Sequence, residues 1–402
     1  MIDLSKISPS TQAVHAGRAD LHGARPSAVP IYASSTFLSG SAAELDGVLG
    51  GEAGYVYSRY ANPTTTAFEN VIAALEGATA CVAFGSGMAA LHGALLACGV
   101  QNGDVVLCAE EIYGASQSLV AQMLGPLGVR LQLVDVTDFA AVESALRGEN
   151  VRVLLFEPLS NPLLKVADMP KICAAARDCG VLSIVDATFT PPPLMRVLEL
   201  GADFAVHSAT KYFGGHGDAT GGTVSVRDEN LAAKLRQVQR LGGAVLSPFE
   251  AFLLLRGVKT LPLRVREQCR NAASVAAWLA QQKGVSRVFY PGLAEPKQRE
   301  LAARLLQPQN GEPMFGAMVA FEIAGAAQSD VFRFMDALRL IEPAATLGDV
   351  QSEVSYPMIS SHRGWSETQL SRAGITPGVL RLSVGIEDVA DIIADLEQAL
   401  AL

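Results

Sequence analysis

From Thr64 onward, short apolar runs rich in β-branched residues alternate with stretches whose apolar residues recur every three or four positions. The first pattern suits strands buried on both faces, the second amphipathic helices. TTAFENVIAALEGA predicts a helix that stops near Gly77, and ACVAF a strand that runs through GSG into a helix over MAALHGALLACG. Further strands are expected at DVVLCAE, GVRLQLVDV, VRVLLFEP, VLSIVDA, ADFAVHS and GGTVSVRD, with helices at DFAAVESALRG and MPKICAAARDCG. That alternation predicts an α/β fold, a mostly parallel sheet covered by helices on both faces.

Near Ser247 the pattern changes to one long helical stretch, which links this region to a second one. Beyond it, RVFYPGL, AMVAFEI and VLRLSVGI read as strands, while DVFRFMDALRL and the final EDVADIIADLEQAL read as helices. The expected organisation is an arm over 1–62, a ligand-binding domain over 63–258 and a smaller α+β domain over 259–402. The arm is rich in Gly, Pro and Ser, yet Ile31, Tyr32, Phe37, Tyr55, Tyr57 and Tyr60 are too many buriable groups for a free tail. It is expected to contact another subunit.

Composition narrows the partners. At 402 residues the chain exceeds one ordinary core, and with 50% apolar and 18% charged residues it buries much of itself. A net charge of −9 argues against nucleic acid or an anionic membrane as the main partner. No apolar run is long enough to span a bilayer, and the N-terminus lacks an apolar signal core. The six cysteines form no CxxC pair and read as reduced core residues of a cytoplasmic protein. With six histidines and no HExxH, no metal is expected.

Lys211, in AVHSATKYFGGHGD, is the most telling candidate. A lysine among small residues at the end of a strand can sit in a poorly solvated cleft, where burial favours the free amine that adds to carbonyls. The hydroxyls of Ser208 and Thr210 can hold a phosphate beside it. Amine plus phosphate cradle suggests pyridoxal phosphate; a solvated surface lysine is the alternative. GSGMAAL (Gly85 to Leu91) turns a strand into a helix whose N-terminus can face an anion. It also fits the GxGxxA dinucleotide fingerprint, with Glu110 ending the next strand, so an NAD-dependent dehydrogenase is a rival. Asp186 ends VLSIVD, where it can pair with a pyridinium nitrogen or merely cap a turn. Tyr113 can stack on a flat ring or simply pack, and Asn161 can donate to a ring hydroxyl or form the turn before Pro162. Tyr57 and Arg59 lie in the arm, where Arg59 can fork onto phosphate or stay solvated. Arg381, inside the apolar strand VLRLSVG, needs an anionic partner: a substrate carboxylate or an internal acid.

Taken in order, AVHAG, PIYASSTF, YSRYANPT, ALEGA, GSGMAAL, SNP, VDATF, LELGAD, HSATKYFGGHGD, RGVKTLP, YPGL and LRLSVGIED resemble the Cys/Met-metabolism PLP-dependent family. That family includes cystathionine γ-synthases and lyases, methionine γ-lyases and O-acylhomoserine sulfhydrylases. The resemblance spans nearly the whole chain and leaves the dehydrogenase reading remote; a non-catalytic member is the remaining alternative.

The resemblance implies a fold type I PLP enzyme, usually a tetramer of two catalytic dimers. It assigns Lys211 to the Schiff base, Asp186 to the pyridine nitrogen and Tyr113 to the stacked ring. Ser86, Gly87, Met88, Ser208 and Thr210 fall on the phosphate cradle, and Thr188, within VDATF, on the cofactor site. Tyr57 and Arg59 match residues that reach the neighbouring subunit's cofactor. Asn161, Thr346 and Arg381 match ligands of the cofactor ring and the substrate carboxylate. The implied chemistry is removal of the Cα proton by the lysine amine and departure of a group from Cγ, with Tyr57 or Tyr113 as acid or base there. Water then leads to a 2-oxo acid and ammonia, a thiol to a new thioether.

Some positions depart from the family. Ser118 stands where cystathionine-handling relatives commonly carry arginine, and Ala345 where they carry glutamate. Both losses favour a substrate with a short or apolar distal end, such as methionine or an O-acylhomoserine. Ala115 replaces the cysteine frequent in methionine γ-lyases, and Tyr356 a usual histidine within 352–364.

Overall fold

The computed structural model describes residues 7–16, 26–306 and 313–401. Two sheets organise the chain. The larger holds β1 (Ala80–Phe84), β2 (Val105–Ala109), β3 (Arg130–Val134), β4 (Val151–Phe156), β5 (Leu182–Asp186), β6 (Phe204–Ser208) and β7 (Gly222–Val226). Its order is β1-β7-β6-β5-β4-β2-β3. The strands from β6 to β3 run parallel, while β7 runs antiparallel to both neighbours. The inner strands are mostly apolar and buried because helices cover both faces, as a parallel sheet requires.

The helices start and stop where local chemistry directs. In Pro63–Glu76, Asn62 accepts a hydrogen bond from the Thr64 amide, Pro63 occupies the first turn, and Gly77 closes it at φ 63°. Phe68, Val71, Ile72 and Leu75 on its inner face are fully buried. The long helix expected from Ser247 is two helices, Pro248–Val258 and Leu261–Leu279. Pro262 in the first turn of the second helix cannot donate a backbone hydrogen bond to a preceding turn, so the chain restarts there.

The second of these helices joins two cores. Leu261, Val265 and Cys269 pack with the large sheet, whereas Ala272, Val275, Ala276 and Leu279 pack with the small one. The small sheet contains β8 (Val285–Phe289), β9 (Met318–Ile323), β10 (Glu342–Pro343), β11 (Glu353–Ser355) and β12 (Val379–Ser383). Its order is β10-β11-β12-β9-β8, antiparallel except between β10 and β11. β10 and β11 are too short to show a periodicity.

The arm is less irregular than its sequence suggests, since it contains the helices Pro9–His15 and Ala42–Leu49. Residues 1–6 and 17–25 of the expected arm lie outside the described residues. Five cysteines are buried as expected, but Cys179 is exposed, because it caps the outer end of the Met169–Asp178 helix. Among the described residues, no helix is long and apolar enough to cross a membrane, and no His, Cys, Asp or Glu group could hold a metal.

Candidate active site

The C-terminal ends of the parallel strands open into a cavity of about 450 Å³, closed on one side by the small sheet. Ligand crevices lie at such ends because the loops there diverge. β1 leads through Gly85 into the Gly87–Ala97 helix, whose Ser86 hydroxyl accepts from the Ala89 amide. Ser86, Gly87 and Met88 line the cavity, so the positive end of this helix faces it. Gly87 is required: a Cβ there would lie 2.8 Å from Ser208 Cβ. Ser208, the last residue of β6, and Thr210 just after it line the same end. Thr210 is fixed by the Gly221 amide, which donates to its hydroxyl at 3.0 Å.

Asp186 closes β5 at the cavity wall. Its Oδ1 accepts from the Thr188 amide at 3.0 Å and from the Thr188 hydroxyl at 2.6 Å, and that hydroxyl accepts from the Ser208 amide at 2.9 Å. Thr188 therefore ties the carboxylate to the anion-binding end. Burial raises the Asp186 pKa, and the two Thr188 hydrogen bonds oppose the rise.

Lys211 enters from the loop after β6, and its Nζ donates to Thr346 Oγ1 at 2.8 Å. Burial lowers its pKa; Arg381 lowers it further, and Asp349 and Glu353 counter. The amine is thus held closer to its free, nucleophilic form than an ordinary lysine.

Arg381, on β12, is buried and spans the two regions. Its Nη1 donates to Asn161 Oδ1 at 2.9 Å and its Nη2 to the Thr346 carbonyl at 3.3 Å. The Phe189 ring lies 5.5 Å from its guanidinium carbon. Its Nε is buried without a partner among the described residues. Burial lowers its pKa to about 10. An arginine so held, with a donor unspent beside a cavity, is equipped to take a carboxylate.

Tyr113 lines the cavity and is 42% exposed, while its amide donates to Glu157 Oε1 at 3.1 Å. Asn161 lines it as well. Tyr57 and Arg59 do not reach this cavity. Arg59 Nη1 donates to the Arg240 carbonyl and stacks 4.8 Å from the Tyr60 ring, and Tyr57 is 40% exposed. Ala345 and Leu347 line the cavity, but Ala115 and Ser118 line a separate groove beside Met88. Tyr356 lies in the small-domain core and donates to the Pro377 carbonyl at 2.8 Å.

Sequence reasoning missed Glu157, Phe189, Thr220, Ser360 and Ser361, all on the cavity wall. Glu157 follows β4 immediately, so its place at a strand end was a usable signal. Ser360 and Ser361 arrive by a loop whose path no local pattern fixes. Glu110, the acid expected for a ribose, does not line the cavity.

A flat phosphorylated pyridine aldehyde suits this wall. One end offers a helix N-terminus with the Ser86, Ser208 and Thr210 hydroxyls, another a fixed carboxylate, and between them stands an amine with lowered pKa.

Comparison with known proteins agrees. The family described as Cys/Met metabolism PLP-dependent enzyme matches residues 10–401. An L-methionine gamma-lyase of Fusobacterium nucleatum is 38% identical over 409 residues, covering 99% of each chain. A cystathionine gamma-lyase of Bacillus subtilis is 38% identical over 92% of this chain and 93% of its own. The crystal structure of a putative O-acetylhomoserine (thiol)-lyase of Campylobacter jejuni, which contains N′-pyridoxyl-lysine-5′-monophosphate, superposes with a TM-score of 0.92. It is 30% identical, over 98% of this chain and 100% of that one.

Proposed function

This chain belongs to the Cys/Met metabolism PLP-dependent enzyme family, and on that premise we propose that it catalyses γ-elimination or γ-replacement on a sulfur amino acid or an O-acylhomoserine. One observation carries the reading: Lys211, Asp186 and Arg381 converge on a single cavity that Ala345 and Leu347 also line. Neither Ala345 nor Leu347 offers a charged partner to a distal amino-acid group. That lining favours methionine γ-lyase or sulfhydrylase chemistry over cystathionine turnover, which stands as the alternative because a cystathionine lyase relative is equally similar.

When bound, pyridoxal phosphate supplies an electron sink for charge developing at the substrate Cα. The protein's part is binding, orientation and proton handling. The Gly87–Ala97 helix end with Ser86, Ser208 and Thr210 would hold the phosphate. Asp186 would keep the proton on the ring nitrogen. Tyr113 would cover the ring and Asn161 would meet its hydroxyl, while Asn161 also orients Arg381. Arg381 fixes the substrate carboxylate, which aims the Cα proton at Lys211. Nζ of Lys211 takes that proton, steadied by Thr346 Oγ1, and carries it onward. Tyr113, or Tyr57 of a second copy, protonates the leaving group.

Tyr57 and Arg59 do not line this chain's own cavity, and the arm that carries them leaves Leu38, Leu45, Leu49 and Tyr57 exposed. We read this surface as seated on a second copy, completing its phosphate site, in a tetramer of two such pairs in the cytoplasm. The test is a panel of L-methionine, cystathionine, cysteine and O-acylhomoserines, scored by 2-oxo acid release with and without sulfide. Methionine or an O-acylhomoserine should lead cystathionine by about tenfold or more, the worth of one lost polar contact; cystathionine leading would overturn the preference.

A further inference from the structure

The loop over residues 357–365 reaches the cavity and has no role in the reading above. It closes on itself: the His362 amide donates to the Pro357 carbonyl at 2.9 Å, and the Trp365 amide to the His362 carbonyl at 3.0 Å. It lies over the turn that carries Tyr113, since a Cβ on Gly114 would fall 2.6 Å from the Ser361 carbonyl oxygen and 3.9 Å from Trp365 Nε1. Ser360 and Ser361 both line the cavity. Ser360 spends its proton on the Tyr356 carbonyl at 2.7 Å. Ser361 Oγ instead lies 2.8 Å from Nδ1 of His362, whose side chain is buried and meets the Trp365 ring edge-on, with 4.4 Å between centroids.

The direction of the Ser361–His362 contact decides what Ser361 can do. Burial, then Arg381, lowers the His362 pKa to about 4, so at neutral pH the ring is uncharged and carries one proton. Its Nε2 is buried with no partner among the described residues. A proton there would be an orphaned donor, whereas on Nδ1 it is spent on Ser361. Buried N–H groups are left unpaired less often than acceptors, and the hydrogen bond made by one ring nitrogen fixes the tautomer. His362 therefore donates and the Ser361 oxygen accepts. The Ser361 proton is left for the cavity.

The substrate carboxylate already has Arg381. Ser361 sits against the turn bearing Tyr113, the residue assigned above to the leaving group. We propose that Ser361, oriented by His362, is a specificity-determining residue: its hydroxyl donates to an acceptor oxygen on the group that leaves Cγ, and so selects homoserine esters over methionine. An ester carbonyl accepts such a bond fully, while a thioether sulfur is a weak acceptor. His362 is a positioning residue that acts through Ser361.

This inference rests on the reaction proposed above and names its substrate class. The experiment measures kcat/KM of the holoenzyme for O-acetyl-L-homoserine and for L-methionine, by 2-oxo acid release. Ser361→Ala should lower the value for the ester about fivefold, the worth of one neutral hydrogen bond, and that for methionine less than about twofold. His362→Phe keeps a ring against Trp365 and removes the donor, so it should shift the ratio of the two values the same way. Ser361→Thr keeps the hydroxyl and should hold that ratio within about twofold, the scale of ordinary packing effects. Equal losses on both substrates, or an unchanged ratio in Ser361→Ala, overturn the inference and leave the family reaction standing. Turnover of methionine with the ester untouched does the same. Turnover of neither substrate overturns the preference proposed above, and this inference with it.

Discussion

Replacing Arg381 by lysine keeps the charge and removes the fork. Arg381 spends Nη1 on Asn161 Oδ1 at 2.9 Å and Nη2 on the Thr346 carbonyl at 3.3 Å, leaving Nε among its unspent donors. A lysine ammonium is a single point that cannot hold both anchors and still meet a carboxylate edge-on. The loss is about one charge-assisted hydrogen bond, roughly 1.5–3 kcal/mol. At about 1.4 kcal/mol per decade that is about a 10- to 150-fold rise in KM for an α-amino acid. The assay compares Arg381→Lys with the unmodified enzyme on two ligands, followed by the change in the cofactor spectrum. One is the amino-acid substrate; the other is the same amine lacking its carboxylate. Affinity for the amino acid should fall by the stated factor, while affinity for the decarboxylated amine should move less than about threefold, within ordinary packing effects. Equal losses for both ligands would refute the carboxylate role and leave Arg381 as an internal strut.

Gly87→Ala places a Cβ 2.8 Å from Ser208 Cβ and 3.0 Å from Ser208 Oγ, so the helix end and the β6 loop must separate. Such overpacking costs about 1–3 kcal/mol, and the cofactor dissociation constant should rise about tenfold or more in equilibrium dialysis. If Arg59 serves a second copy's site, Arg59→Ala and Lys211→Ala chains should complement when refolded together. Random pairing should recover about a quarter of full activity, because half the pairs are mixed and each holds one intact site; no recovery would place Arg59 outside the partner's site.

How much was legible depended on whether the signal was local. The Pro63–Glu76 helix carried its own cap, proline and terminal glycine, and β4, β5 and β6 were apolar runs too consistent to misread. Lys211, Asp186 and Gly87 were legible for the same reason, since each sits at a strand or helix end that the pattern already located. β7 was read as a strand, but its antiparallel insertion between β1 and β6 is a tertiary fact with no local mark. The break before Leu261 was hidden because both helices share one amphipathic pattern across it. Asp349 carries no local mark; only the docking of the small domain against the glycine loop, where the Gly217 amide donates to its Oδ1, brings it beside the segment that bears Lys211. The resemblance assigned Tyr57 and Arg59 to the neighbouring subunit's cofactor, and neither lines the cavity of its own chain, so a single chain cannot display their role.

The central claim is that the Lys211 amine tethers the cofactor and moves the substrate proton. Borohydride reduction of the holoenzyme, followed by peptide mass mapping, tests it directly. The predicted result is one pyridoxyl label, on the peptide bearing Lys211, and in Lys211→Ala no label there with turnover down at least about 10²–10⁴-fold. A label on another lysine, or a Lys211→Ala enzyme that turns over amino acids at the original rate, would contradict the account.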